Sequence, residues 1–92
     1  MELNFTKEDA LWVATFEAAS DFNLHIEGVA VGKVQVYQRG TSSGEYAFVK
    51  EATPYPSAGT AYDYDFSALV YPKYMKVACA KKPTMAVVTF AE

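Results

Sequence analysis

The stretch that decides the fold runs from Asp21 to Lys50 and reads DFNLHIEGVAVGKVQVYQRGTSSGEYAFVK. Phe22, Leu24 and Ile26 alternate with Asn23, His25 and Glu27, a period of two that puts one side of a strand in a core and the other in water. Gly28 and Gly32 bracket a short connection, after which Val34 and Val36 alternate with Lys33, Gln35 and Tyr37. Gly40-Thr41-Ser42-Ser43-Gly44 has the composition of a hairpin loop, and Tyr46, Phe48 and Val49 open the next strand. Three neighbouring strands are therefore expected here, with the rest of the chain packed against them.

Outward from this meander the same period recurs. Glu2 to Thr6 reads as a short first strand with Leu3 and Phe5 on one side, broken by Lys7-Glu8-Asp9. Ala10 to Ala18 alternates as a strand should. Thr6 and Asp9 have the spacing of a helix-capping box, which favours a helix, but Trp12, Val13, Thr15 and Phe16 favour extended backbone and decide for a strand. Pro54 and Pro56 around Tyr55 mark Glu51 to Thr60 as a long loop, since proline cannot donate to a strand ladder. Ala61 to Leu69 then sets Tyr62, Tyr64 and Phe66 against Asp63 and Asp65. A further loop is placed at Pro72. Lys73 to Lys81 opposes Met75, Val77 and Cys79 to Tyr74, Lys76, Ala78 and Ala80. Lys81-Lys82-Pro83 is a turn, and Thr84 to Ala91 closes with Met85, Val87 and Thr89 opposing Ala86, Val88 and Phe90. About eight short strands at this spacing predict an all-β chain: an antiparallel β-sandwich, Ig-like or jelly-roll, as one domain over residues 1–92.

Bulk properties narrow the function classes. A chain of 92 residues buries roughly 60–65% of its unfolded surface, enough for one core. With 51% hydrophobic and 15% aromatic residues it has the composition of a folded globule. Eight Lys and Arg against eleven Asp and Glu give a net charge of −3 with no basic run, which argues against nucleic acid as a partner. No apolar run approaches the roughly 18 residues of a membrane span, and the first residues carry neither a basic nor an apolar signal region, so no membrane partner or signal peptide is expected. One cysteine allows no intrachain disulfide and suits folding in a reducing compartment such as the cytoplasm.

Candidate chemistry is sparse. Cys79 lies in an alternating strand with no base partner nearby and reads as a small buried hydrophobe. His25, the lone histidine, falls on the polar side of its strand without the convergent ligands that zinc or general-base work needs. Asp63 and Asp65 share one side of a strand; without an Asp-rich loop they read as solvated edge charges that discourage uncontrolled strand pairing rather than as a calcium site. No phosphate-binding loop, nucleophile elbow or zinc-protease motif occurs. The expectation is a non-enzyme with no catalytic residue, cofactor or metal. The tyrosines are divided among core, protein interface and sugar stacking; Tyr55, Tyr62 and Tyr71 are the expected interface anchors.

Gly32-Lys33-Val34-Gln35-Val36-Tyr37-Gln38-Arg39, followed by Ser43-Gly44-Glu45-Tyr46, resembles a pattern of small bacteriophage virion proteins: a G-x-V-x-V-x-R strand, a Ser/Asp-Gly hairpin, and a strand opened by an aromatic. Tyr74-Met75-Lys76-Val77 is similar to the Y-x-[RK]-V strand of the same proteins, and also to a late strand of fibronectin type III domains. The resemblance spans roughly Phe22 to Phe90. Those proteins often carry Trp where Tyr46 or Phe48 stands, whereas the tryptophan here is Trp12. The resemblance implies a virion structural protein, an auxiliary or decoration protein on the capsid, with the major capsid protein or other virion proteins as partners and a homo-oligomer as one way of assembling. The alternative from the surface aromatics is a carbohydrate-binding or adhesin module.

Overall fold

A computed structural model of the chain describes residues 1–28, 33–52, 61–67 and 73–91. Eight strands are present among them: β1 (Thr6–Glu8), β2 (Leu11–Ala18), β3 (Phe22–Glu27), β4 (Val34–Arg39), β5 (Ala47–Ala52), β6 (Ala61–Phe66), β7 (Lys73–Cys79) and β8 (Met85–Phe90). They form two packed antiparallel sheets, a five-stranded one in the order β1-β2-β7-β4-β5 and a three-stranded one in the order β6-β3-β8. The β-sandwich expected from the alternation is the observed architecture. Among the described residues no helix is long and apolar enough to cross a membrane.

The core lies where the alternation puts it. Phe16, Ala18, Val34, Val36, Met75, Val77 and Cys79 point inward from the five-stranded sheet, and Phe22, Leu24, Ile26, Phe66, Ala86 and Val88 meet them from the other. Phe22 is the hub of the aromatic part. Its ring stacks on Phe66 at 4.9 Å and meets Phe16 and Phe90 edge-on at 5.3 and 6.2 Å. Each large side chain removed from water in this way contributes about 1.5–3 kcal/mol.

The first residues depart from expectation. A strand over Glu2 to Thr6 broken at Lys7 is not what forms. Glu2 bridges Val87, with Leu3 N–H donating to Ala86 O at 2.8 Å and Val88 N–H to Met1 O at 2.7 Å, so this segment lines the β8 edge of the three-stranded sheet. The chain then crosses to the other sheet, burying Leu3 and Phe5 at the seam, and Thr6–Glu8 pairs with Leu11–Val13. Lys7 and Glu8 do not break a strand; they are exposed on a short edge strand, where charge is the usual protection against further pairing. Asp9, the residue that suggested a helix cap, holds the hairpin turn at φ 54°, a left-handed conformation that Asp tolerates better than most residues. The loop expected from Glu51 also begins later, because Glu51 and Ala52 still pair with Gln35 and Val34.

Gly28 sits at a close approach of two backbones. A Cβ there would lie 3.1 Å from both Pro83 Cα and Thr84 N, where Thr84 N–H and Oγ1–H both donate to Glu27 O.

Candidate functional site

Strand alternation gives each sheet an outer face, and the two differ in chemistry. On the five-stranded sheet the register sets Thr15, Lys76, Tyr37 and Phe48 in one row and Glu17, Tyr74 and Arg39 in the next. Phe48 is 58% exposed. Its ring meets Tyr37 edge-on at 5.7 Å, and the Tyr37 hydroxyl donates to Gln35 Oε1 at 3.0 Å. Two cations lie over these rings. The Arg39 guanidinium sits 4.3 Å from the Tyr46 ring centre and 6.0 Å from that of Tyr74, while Lys76 Nζ is 4.8 Å from both Tyr37 and Tyr46. Each such contact is worth about 0.5–1 kcal/mol at a half-exposed site, and a ring neutralises no charge.

Neither Arg39 nor Lys76 pairs with a carboxylate among the described residues. Arg39 donates from Nη1 to Gly44 O at 2.9 Å, tying the strand to its hairpin, and keeps a buried Nε without an acceptor among the described residues. Beside them, Lys33 and Glu51 form their own pair at 3.4 Å, and Gln35 Nε2 donates to Glu51 at 2.9 Å. These contacts hold the Glu51 carboxyl below its ordinary range, the Gln35 hydrogen bond more than Lys33.

The outer face of the three-stranded sheet carries carboxylates. Asp63, His25 and Val87 form one row, Asp65, Asn23 and Thr89 another, and Glu27 stands beside Met85. His25 Nδ1 lies 2.9 Å from Asp63 Oδ1 and Nε2 lies 2.9 Å from Glu27 Oε2. Ionised carboxylates only accept, so the protonated imidazole, with both ring nitrogens donating, is the form that satisfies both contacts. The Glu27 and Asp63 hydrogen bonds, in that order, raise its pKa against a small opposing effect of burial. A histidine fixed in this way is a cross-brace between β3 and β6 and has no free nitrogen with which to take a proton. Asn23 Nδ2 donates to Asp65 Oδ1 at 2.9 Å, a second polar tie between the same strands.

Cys79 is fully buried, and loss of water pushes its thiol up to about 12. It is a core side chain, as its alternation indicated. Among the described residues no group of three or more His, Cys, Asp or Glu is placed to hold a metal ion. A shallow apolar cleft of about 310 Å³ opens at one end of the sandwich, floored by Phe22, Phe66 and Phe90 with Asp21 and Asp65 at its rim. Ser67 and Thr89 also line it, and among the described residues neither hydroxyl is hydrogen-bonded to Asp21 or Asp65.

Of the anchors expected from sequence, Tyr55 and Tyr71 lie outside the described residues. Tyr62 pairs with Ile26 in β6, and its side chain is likewise outside what is described. The aromatic surface the structure does assemble uses Tyr37, Tyr46, Phe48 and Tyr74. Sequence reasoning placed all of them on strands but did not gather them, because the pairing of β4 with β7 joins segments far apart in the chain. The positional signal was there: Tyr37, Lys76 and Tyr74 sit out of phase with Val36, Met75 and Val77. No family model matches the chain, and no curated protein or solved structure matches it either.

Proposed function

We propose that this chain is a non-enzymatic structural protein of a bacteriophage virion, an auxiliary or decoration protein bound to the capsid surface by protein–protein contacts. The docking surface is the outer face of β7, β4 and β5. The observation that carries this reading is the combination on that face of an exposed Phe48, half-buried tyrosine rings and two cations that no carboxylate of the described chain neutralises. Aromatic and Arg anchors are what protein interfaces are enriched in, and many weak copies on a particle add their strengths. The two stretches that resemble small virion proteins become the hydrogen-bonded neighbours β4 and β7, so the resemblance and the surface coincide. A non-enzymatic role is supported by the state of the one cysteine and the one histidine, since Cys79 is buried in the core and both ring nitrogens of His25 meet carboxylates.

Quantitative mass spectrometry of purified particles tests the virion role. Many copies of the chain per particle is the expected result, and absence from particles overturns it. Tyrosine-dependent binding on a glycan array, with no copy on particles, would transfer the same face to the carbohydrate-binding reading.

A further inference from the structure

The two outer faces are complementary to each other. On the five-stranded sheet, the cations Lys76 and Arg39 stand on β7 and β4 and the exposed Phe48 stands on β5. On the three-stranded sheet, Asp63 and Asp65 stand on β6 and Glu27 on β3, while Val87 and the 46% exposed Met85 stand on β8. Each face is therefore half charge and half apolar, and the charges are of opposite sign. The groups that run against this pattern are held or marginal. His25 is clamped by Glu27 and Asp63, Glu51 is held by Lys33, and Glu17 and the exposed Glu8 stand on β2 and β1, at the far side of the sheet from β5.

We infer that the occupant of the aromatic-cationic face is a second copy of this chain, presenting the acidic face of its three-stranded sheet. Carboxylates of the β6–β3 side meet Arg39 and Lys76, and Met85 with Val87 covers Phe48. This rests on the docking reading above: the copy seated on the capsid keeps its aromatic-cationic face for the particle, and each further copy turns the same face to the acidic face of the copy before it. The faces lie on opposite sides of one sandwich, so the contact is head-to-tail: it repeats from copy to copy and closes only if the rotation between copies allows a ring. A single sheet face is at the small end of specific interfaces, so the pair is weak in solution and strengthened where copies are held side by side. The β5 edge beside the contact is guarded. Lys50 turns in from β5 to lie 3.4 Å from the Tyr64 ring, and the β4–β5 register shifts after Val36, features that favour stacking of faces over pairing of edges.

The test uses two charge-reversed proteins and sedimentation velocity. One carries Arg39→Glu with Lys76→Glu and the other Asp63→Lys with Asp65→Lys, all exposed or half-exposed positions, with folding checked by thermal melts. The unaltered protein is expected to self-associate reversibly with concentration and to lose this in high salt. Each variant alone is expected to be monomeric, and an equimolar mixture to associate again with the two proteins alternating, because the basic face of one meets the acidic face of the other and the two reversed faces are complementary in charge as well. A monomeric unaltered protein at all concentrations overturns the inference. So does self-association of either variant alone, which would mean like faces meet, or a mixture that stays monomeric. Presence on particles with a monomer in solution would leave the docking reading standing and remove only this partner.

Discussion

Lys76 and His25 are both cations on the outer face of a sheet, and their surroundings show how differently the two sheets treat charge. Lys76 is backed by the rings of Tyr37 and Tyr46. His25 is gripped by the carboxylates of Glu27 and Asp63. Rings hold a cation in place while leaving its charge to act outward, whereas carboxylates cancel it and leave their own surplus exposed. The five-stranded sheet thus offers positive charge on an apolar base, and the three-stranded sheet offers negative charge already braced within the chain.

That contrast depends first on the shared scaffold. Phe22→Ala removes the ring between Phe16, Phe66 and Phe90 and is expected to cost about 3–5 kcal/mol, a large part of the stability of a small domain. Both faces should then fail together, seen as a lower urea midpoint and loss of every binding activity. Loss of only one face's behaviour in this variant would show that the sheets are held independently.

Charge reversal separates the faces. Arg39→Glu with Lys76→Glu is expected to weaken attachment to particles by about 2 kcal/mol, roughly thirtyfold, with folding stability lowered by about 1–2 kcal/mol through loss of the ring contacts and the Gly44 hydrogen bond. Particle occupancy measured by mass spectrometry reads this directly. Phe48→Ala probes the apolar half of the same face. An exposed side chain contributes little to folding, so stability should move by less than about 0.5 kcal/mol, while attachment weakens by about 1–2 kcal/mol. A variant that unfolds more readily but attaches as before would place Phe48 in the scaffold instead.

The smallest effect belongs to the brace on the acidic face. Because the folded pKa of His25 is raised, its contribution to stability is fully present below the unfolded value of 6.5 and is lost as pH rises through the higher folded value. Half-exposed ion pairs of this kind are worth about 1 kcal/mol or less. Urea unfolding of the parent should therefore lose a fraction of a kcal/mol between slightly acid and slightly alkaline pH that His25→Gln does not lose. Identical pH profiles for the two proteins would mean that Glu27 and Asp63 do not grip the ring in solution.

How much of this could be read from the sequence follows from how local each signal is. Strand positions and inward residues were legible because alternation is a property of adjacent residues: Met75, Val77 and Cys79 are buried as their period requires. The His25 brace was not, since Asp63 is brought beside it only by pairing of β3 with β6. The same holds for the rings over Arg39 and Lys76. The N-terminal strand was misplaced because five residues with Leu3 and Phe5 in phase look alike whether they stay in one sheet or cross between two.

The order β1-β2-β7-β4-β5 also has a meaning in time. As the chain leaves the ribosome, only two pairings of the five-stranded sheet are between consecutive strands, β1 with β2 and β4 with β5. β7 must arrive and insert between β2 and β4, and β3 likewise waits for β6 and β8. Until β7 has been made, the pairings open to the growing polypeptide are β1 with β2, β4 with β5 and β3 with β6, each with open edges and an uncovered apolar side. Assembly of the five-stranded sheet is gated by the seventh strand, so a chain cut short before Lys73 leaves β1-β2 and β4-β5 unjoined.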